Sequence, residues 1–420
     1  MIVIKGADLF GKKVDIAVDG DRVAEVGDVK APKGATVVDA RGLTALPAFV
    51  DMHVHLREPG FEYKEDIESG CRAAVAGGFA AVCCMPNTKP VTDNKYIVKY
   101  VKTRAEEVGL AKVYPIAAIT VGQEGKQIAE LGKLKAAGAV AFSDDGRPVE
   151  NAQTMRVALE YAKQFDALLI SHCEELSLVA GGVINEGYTA SEAGYRGITR
   201  ASEEVMVARE IVLADALSTK VHIAHISTEG SARLIRDAKR AGIRVSCETC
   251  PHYFAATDEL AANGDPMAKV NPPLREERDR EAIVRAIQDG TVDAIVTDHA
   301  PHAAHEKGAL NDAANGISGL ETSFALSYTY LVKSGAITLQ KLSQLMTENP
   351  ARLVGVPCGS IEKGGLADIV LVDLGEQFEI EPERFFSKGK NTPFKGRKVF
   401  GRVKMTMVEG KIKFKDGEIC

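Results

Sequence analysis

The pattern of hydrophobic and polar residues divides the chain into three parts: two ends in which apolar and polar residues alternate every second position, and a long middle. Five segments near the ends alternate apolar with polar or small residues: Val14–Val18, Val23–Val26, Ala367–Asp373, Phe400–Val408 and Lys411–Phe414. Turn residues, Asp19-Gly20-Asp21 and Glu409-Gly410, predict an antiparallel hairpin near each end. Because both ends show the same alternation and the same hairpin turns, we expect them to form one small β-sandwich domain, residues 1–45 plus 355–420.

The middle, residues 46–354, alternates apolar strands with helical stretches. The predicted strands are Ala45–His53, Phe79–Met85, Val113–Thr120, Ala139–Ser143, Ala167–His172, Lys220–Ser227, Arg244–Glu248 and Ala294–Asp298. The predicted helices are Ile67–Ala76, Asn94–Val108, Ala152–Gln164, Glu203–Ala216, Ser231–Ala241 and Arg278–Asp289. This alternation predicts an α/β fold, a (β/α)8 TIM-type barrel. A doubly wound open sheet is the alternative, but no glycine-rich nucleotide fingerprint follows the first strand.

Polar residues collect where the predicted strands end. They are His53, His55, Asn87, Asp144, Asp145, His172, His225, His252, Asp298 and His302. In a barrel all carboxyl ends of the strands share one rim, where such enzymes place catalysis. Four histidines and two aspartates on that rim form a nitrogen and oxygen donor set that suits zinc or a related divalent ion.

Side-chain alternation along a strand separates candidate metal ligands from polar residues that point to the opposite face. His53 and His55 are two positions apart, so both point to the same face. His225 and His222 are three apart, so we expect His225 at the site and His222 among the helices as a satisfied core histidine. Asp144 and Asp145 are adjacent, so only one of them should reach a metal, and the pattern leaves open which.

Composition narrows the functional classes. The net charge of −6 and pI near 5.9 argue against nucleic-acid binding. The N-terminus lacks a signal-peptide pattern, and no stretch approaches ~20 uninterrupted apolar residues. The eight cysteines fit buried thiols in a reducing cytoplasm, and Cys247 and Cys250, although spaced as CxxC, fit structural filler. The long polar loop Ala300–Gly319 is typical of a lid.

These residues resemble the dihydroorotases of the amidohydrolase superfamily over essentially the whole chain. The matching segments are Asp51–Gly60, Met85–Thr88, Phe142–Gly146, Lys269–Arg275, Thr297–Lys307 and Gly319–Thr322. Val296 departs mildly, because the family usually has a small residue there. Many relatives bridge two metals with a carboxylated lysine, but no lysine lies between Ala136 and Arg147. The resemblance is therefore to the bacterial branch that uses an aspartate, here Asp145.

The resemblance implies roles for individual residues. His53, His55 and Asp298 would bind one metal ion, His172 and His225 the other, and Asp145 would bridge the two ions, which are expected to be zinc. The implied substrate-binding residues are Arg57, Asn87 and His302 for a carboxylate, and Asn271, Gly316 and Ile317 for a pyrimidine ring.

The resemblance also implies a reaction, the reversible conversion of (S)-dihydroorotate to N-carbamoyl-L-aspartate in de novo pyrimidine biosynthesis. Metal-bound hydroxide would attack the ring amide, and Asp298 would carry the proton. A homodimer and a complex with aspartate transcarbamoylase are the expected assemblies. The alternatives are another cyclic amidohydrolase, such as a hydantoinase or allantoinase, and an inactive scaffold for aspartate transcarbamoylase.

Overall fold

The computed structural model describes all 420 residues, and the chain begins with a group of short strands. They are β1 (Ile2–Leu9), β2 (Lys12–Asp19), β3 (Arg22–Gly27), β4 (Thr36–Asp39) and β5 (Thr44–Pro47). β1 pairs antiparallel with β2, and β2 with β3, so the predicted N-terminal hairpin is confirmed.

The middle of the chain contains ten strands. They are β6 (Phe49–Val54), β7 (Phe79–Cys84), β8 (Lys112–Pro115), β9 (Phe142–Ser143), β10 (Leu169–Ser171), β11 (Ile184–Asn185), β12 (Gly197–Ile198), β13 (Val221–Ile223), β14 (Val245–Thr249) and β15 (Ala294–Ile295). β11 and β12 pair only with each other and lie in the segment between β10 and β13. The other eight correspond to the eight predicted strands, although most are shorter than predicted.

Helices alternate with these strands. They are α1 (Ile67–Ala76), α2 (Lys95–Val108), α3 (Leu131–Ala137), α4 (Ala152–Lys163), α5 (Leu176–Val179), α6 (Tyr188–Ala193), α7 (Ala201–Leu217), α8 (Glu229–Arg240), α9 (Pro251–Ala255), α10 (Glu277–Gln288), α11 (Ser323–Ser327), α12 (Leu339–Met346) and α13 (Glu348–Val354). Each of the six predicted helices is present to within two residues at either end. None of the helices is both long and apolar enough to cross a membrane.

The eight barrel strands close into a ring. Parallel pairing joins β6, β7 and β8 in one set and β9, β10, β13, β14 and β15 in another. Single parallel bridges, Ala117 with Phe142 and Val54 with His299, link the two sets at both seams. β6 and β7 are buried at every position, as expected for strands covered on both faces. The predicted (β/α)8 barrel is therefore confirmed.

The C-terminal strands complete the sheet begun by the N-terminus. They are β16 (Ile369–Glu379), β17 (Lys398–Val408), β18 (Lys411–Lys415) and β19 (Glu418–Ile419). β16 pairs antiparallel with β5, so one nine-stranded sheet contains both ends of the chain and has its own core of 14 buried residues. A small β domain made of residues 1–45 plus 355–420 remains our proposed division of the chain.

The predicted first barrel strand, Ala45–His53, is wrong in one respect. The structure divides it into β5, which belongs to the terminal sheet, and β6, which belongs to the barrel. Pro47 ends β5 and has no backbone N–H to continue a ladder. The apolar run thus crosses from one sheet to the other.

Candidate active site

The six residues expected to bind metal converge at the carboxyl ends of the barrel strands. His53 lies on β6 and His55 directly after it, and the others follow four further strands: Asp145 after β9, His172 after β10, His225 after β13 and Asp298 after β15. All six are buried, with at most 6% of their surface exposed. Their donor atoms form two overlapping groups, described next.

The first group consists of His53, His55 and Asp298. Asp298 Oδ1 lies 3.0 Å from His55 Nε2 and 3.4 Å from His53 Nε2. Ligands about 2.0–2.1 Å from a tetrahedral zinc ion lie about 3.3 Å from one another, so this spacing fits donors around one ion.

The second group surrounds Asp145 Oδ1. His225 Nε2 is 3.5 Å from this oxygen and His172 Nδ1 is 3.7 Å from it, while the two nitrogens lie 2.9 Å apart. His53 Nε2 is 3.3 Å from the same oxygen. Asp145 Oδ2 instead lies 3.4 Å from His55 Nε2. Asp145 therefore offers an oxygen to each group.

Two atoms of the cluster test whether it fits metal ions. His53 Nε2 and Asp145 Oδ1 are fully buried, yet neither has a hydrogen-bond partner. Leaving a buried polar atom unpaired costs free energy, so such atoms facing each other point to an additional binding partner. Because imidazole nitrogens and carboxylate oxygens are zinc donors, the residues present fit divalent ions.

Three of the four histidines are held by an acceptor on the ring nitrogen that faces away from the cluster. His53 Nδ1 donates to Glu248 Oε1 at 2.6 Å, and His55 Nδ1 donates to Asn87 Oδ1 at 2.8 Å. His172 Nε2 donates to Glu174 Oε2 at 3.1 Å. Each bond fixes the orientation of the ring and directs its other nitrogen into the cluster, where it can bind a metal ion once it has lost its proton.

Three buried carboxylates set the electrostatics. Burial opposes a charge on His53, but Asp145, Glu248 and Asp298 raise its pKa well above the usual histidine range. Burial also opposes the charged forms of the two aspartates, yet His53 lowers the pKa of Asp145 far below its usual value and that of Asp298 to about 2. The buried carboxylates therefore stabilise positive charge at this position, carried by a proton on His53 or by a metal ion that replaces it.

His222 corrects the prediction from side-chain alternation. Ile223 is in register with Ser171, whose hydroxyl bonds to Glu210 on α7, so this face of the strands meets the helices. His222 therefore points into the barrel, where its Nε2 donates to Glu248 Oε2 at 3.1 Å and its Nδ1 accepts from the Ser246 hydroxyl at 2.8 Å. It is a satisfied buried histidine as expected, but it does not pack among the helices.

His225 reaches the cluster because the chain leaves the strand before it. β13 ends at Ile223, and His225 adopts a left-handed backbone conformation with φ of 32°. Asp298 has φ of 46°, again just beyond its strand. Non-glycine residues rarely adopt this conformation, and such strain concentrates at functional sites.

Asp144 turns away from the cluster while Asp145 enters it. The Asp144 carboxylate accepts from the backbone N–H groups of Ile119 and Thr120 and from the Thr120 hydroxyl. Burial raises its pKa to about 6 in spite of these bonds. Of the two adjacent aspartates, the structure therefore places only Asp145 among the candidate metal ligands.

A cavity of about 210 Å3 opens above the cluster. Its wall includes five of the six residues expected to bind substrate: Arg57, Asn87, Asn271, His302 and Gly316. Ile317 is buried outside the wall, and its carbonyl accepts from the Ala300 N–H at 2.9 Å. His55, Asp145, His172, His225 and Asp298 line the same cavity.

Arg57 supplies the cavity with a fixed cation. Its Nε donates to the Pro301 carbonyl at 3.3 Å, and its Nη2 lies 3.3 Å from His302 Nε2. Burial, with the charges of Arg57 and Lys64, lowers the pKa of His302 to about 3, so His302 is neutral near pH 7. A buried guanidinium beside a neutral imidazole can bind an anion such as a carboxylate.

Two further histidines, and the two cysteines with CxxC spacing, lie outside the cavity. His252 is buried, and burial lowers its pKa to about 4. His305 is exposed. Cys247 and Cys250 are buried free thiols, as the structural reading of their CxxC spacing requires.

Sequence reasoning missed three residues that support the site. Glu248 and Glu174 orient His53 and His172, and an acidic residue within a predicted barrel strand was a usable signal for Glu248. Asn391 lies far along the chain, yet its side chain bonds to the His302 N–H and to the carbonyls of Ala300 and Gly316. No local pattern marks Asn391.

Comparison with known families gives two overlapping matches. Residues 42–231 match the family described as dihydro-orotase-like, and residues 196–414 match the amidohydrolase family. Dihydroorotases with similar sequences include that of Acetivibrio thermocellus, 49% identical with 98% of each chain covered, and that of Geotalea daltonii, 50% identical with 98% and 97% covered.

Comparison with solved structures finds the same fold. An L-hydantoinase from Arthrobacter aurescens superposes with a TM-score of 0.89 at 25% identity, covering 100% of this chain and 97% of that one. A dihydropyrimidinase from Brevibacillus agri superposes with a TM-score of 0.84 at 22% identity, covering 100% and 96%.

Proposed function

The chain belongs to the dihydroorotase family of amidohydrolases, and from this premise we infer that it interconverts (S)-dihydroorotate and N-carbamoyl-L-aspartate, a step of pyrimidine biosynthesis. The observation that carries the assignment is one cavity with the buried Arg57 guanidinium on its wall and the six-residue donor cluster at its base. Dihydroorotate carries a ring carboxylate in addition to the ring amide that is opened, so the group to be bound and the group to be hydrolysed match the two features of the cavity.

The donor cluster is proposed to hold two divalent ions, most simply zinc. His53, His55 and Asp298 would hold one ion, His172 and His225 would hold the other, and Asp145 would offer a carboxylate oxygen to each. When bound, the ions supply a nucleophilic water at neutral pH and polarise the carbonyl that it attacks. Six donors exceed the four of one tetrahedral zinc, which supports two ions rather than one.

Arg57, Asn87 and His302 are proposed to hold the substrate carboxylate. The Asn87 side-chain oxygen already accepts from His55, so its amide group remains free to donate into the cavity. The guanidinium of Arg57 can form two parallel hydrogen bonds with a carboxylate. Asn271 and the backbone at Gly316 line the part of the cavity assigned to the ring, and Ile317 supports that backbone from behind.

Asp298 is proposed to move the proton. Its carboxylate lines the cavity and lies 3.0 Å from His55 Nε2. In ring opening it accepts a proton from the attacking water and passes it to the amide nitrogen as the carbon–nitrogen bond breaks. In ring closure the same group returns the proton in the reverse order, so one residue serves both directions.

A turnover panel tests the assignment. Purified protein should open dihydroorotate and close N-carbamoyl-aspartate, while dihydrouracil and allantoin, which lack the carboxylate, should react far more slowly. Metal analysis of the active protein should find about two ions per chain. Faster turnover of dihydrouracil or allantoin would reassign the chain to another cyclic amidohydrolase, and no turnover in metal-loaded protein would favour the scaffold alternative.

Both alternatives have less support than the assignment. The hydantoinase structure shares 25% identity, against 49% for the Acetivibrio thermocellus dihydroorotase. An inactive scaffold has no need of a complete donor cluster, and all six donors are present here.

A homodimer, an association with aspartate transcarbamoylase and a cytoplasmic location are proposed from the family relationship. Buried free thiols such as Cys71 and Cys83 fit a reducing compartment. Light scattering on the purified chain, alone and mixed with the transcarbamoylase, tests both assemblies. A monomeric mass at all concentrations would contradict the dimer, and unchanged mass on mixing would contradict the complex.

A further inference from the structure

We propose that Lys269 and Lys307 form a reciprocal clamp that fixes the spacing of the two loops lining the ring side of the cavity. The clamp joins the loop 265–271, which follows β14 and α9, to the loop 300–319, which follows β15. The inference deepens the proposed function, because it assigns Lys269 and Lys307 as positioning residues for the ring subsite of that reaction.

Lys307 extends from the second loop to the first. Its Nζ donates to the carbonyl of Lys269 at 3.0 Å and to the carbonyl of Pro266 at 3.2 Å. Both acceptors are backbone atoms, so the contact depends on the path of the loop 265–271 rather than on its side chains.

Lys269 extends in the opposite direction. Its Nζ donates to the carbonyl of Asn311, in the loop 300–319, at 2.8 Å. Its own carbonyl accepts from the Gly316 N–H at 3.0 Å as well as from Lys307. Each loop thus inserts a lysine into the other, and the Lys269 carbonyl is where the two sets of bonds meet.

The two lysines are unusual in their burial. Only 8% of Lys269 and 5% of Lys307 is exposed, and backbone carbonyls are the partners of both ammonium groups. Burial lowers the pKa of both side chains, that of Lys307 to about 7, with Asp265 and Asp312 opposing the shift at longer range. A buried ammonium group without these carbonyls would be costly, so the lysines stabilise the loops only while they remain together.

The clamp lies directly behind the substrate cavity. Val270 and Asn271, which follow Lys269, line the cavity on one side, and Asn315 and Gly316 line it on the other. Because the Gly316 N–H bonds to the Lys269 carbonyl, the separation of these two walls is set by the same atoms that Lys307 holds. Loosening the clamp should therefore widen the ring subsite while leaving the donor cluster intact.

The test compares Lys307→Met and Lys269→Met with Lys126→Met in the full metal-loaded chain. Methionine keeps most of the lysine volume and removes the hydrogen-bond donor, and the Lys126 side chain is 81% exposed on a loop. We expect both clamp variants to retain metal and to raise the KM for dihydroorotate by about tenfold or more, with a smaller change in kcat. Lys126→Met should match the wild type.

Hydrogen exchange on the resting protein gives the second readout. We expect faster exchange in both loops, including the Gly316 amide, whichever lysine is replaced. Exchange raised only in the loop that carries the substitution, or an unchanged KM in both variants, would overturn the clamp. If Lys307→Met does not fold, Lys269→Met tests the same clamp by a substitution in the other loop. Because exchange needs no substrate, failure of the clamp and absence of dihydroorotate turnover are distinguishable.

Discussion

Glu248 connects a candidate metal ligand to the interior of the barrel. One of its oxygens accepts from His53 and the other from His222, and the second histidine is held in turn by Ser246. Burial opposes its charge, but His53 and His222 lower the pKa of Glu248 to about 2, so it remains a carboxylate. His222 thus satisfies the second oxygen of the carboxylate that orients His53.

Replacing His222 or Glu248 should therefore weaken metal binding. We expect Glu248→Gln to lower zinc affinity about 10–100-fold and His222→Ala to lower it by a smaller factor, since His222 acts through Glu248. His305→Ala, at an exposed loop position, is the control. Competition with a chelator measures the zinc affinities. Wild-type affinity in both variants would show that the hydrogen bonds of Glu248 with His222 and with His53 do not support metal binding.

Arg57 is the residue on which the proposed recognition of the substrate carboxylate depends. Arg57→Lys keeps the charge but loses the planar pair of donors, so the KM for dihydroorotate should rise about tenfold or more with metal content unchanged. Steady-state kinetics and metal analysis of the variant check this. If the kinetics match those of the wild type, Arg57 does not bind the substrate.

At the scale of single elements, side-chain alternation was reliable only inside strands. It correctly predicted that His53 and His55 share a face, because β6 continues to Val54. It failed for His222, because β13 ends at Ile223 and His225, from which the alternation was counted, has already left the extended conformation. Hydrophobic periodicity likewise gave the helices closely but could not reveal that the run from Ala45 to Val50 belongs to two sheets.

The loop 300–319 should make stability depend on pH through Lys307. Burial lowers the pKa of this side chain to about 7 from the model-peptide value of 10.5. Between those values the unfolded chain binds a proton that the folded chain has lost, so stability rises with pH, by up to about 1.4 kcal/mol per unit. Chemical denaturation from about pH 7 to 10 should give a shallower slope for Lys307→Met than for the wild type. Equal slopes would contradict the lowered pKa of Lys307 in the folded chain.

At the scale of the whole molecule, the segment before β17 braces the active-site loop. Asn391 accepts from the His302 N–H and donates to the carbonyls of Ala300 and Gly316, although some 75–91 residues separate it from them. This contact could not be predicted from sequence, since nothing local specifies which barrel loop the segment meets.

Asn391→Ala should loosen that loop. It leaves three buried backbone groups without partners, so we expect a loss of about 1–3 kcal/mol in unfolding free energy and a higher KM for dihydroorotate. Asn391→Asp retains an acceptor for the His302 N–H but loses the donors, and should fall between Asn391→Ala and the wild type. Thermal unfolding and kinetics of the pair check this, and wild-type values for Asn391→Ala would exclude a bracing role.

The measurement that tests the account most directly is the pH dependence of both reaction directions in the wild type and in Asp298→Asn. Ring opening converts a monoanion to a dianion and releases a proton, so its rate should rise with pH, whereas the rate of closure should rise as pH falls. Initial rates from about pH 6 to 9, with metal content measured for each protein, should show these opposite limbs in the wild type and a loss of about 10²–10⁴-fold in both directions for Asp298→Asn. An Asp298→Asn protein that retains both metals and turns over dihydroorotate at nearly the wild-type rate would contradict the account.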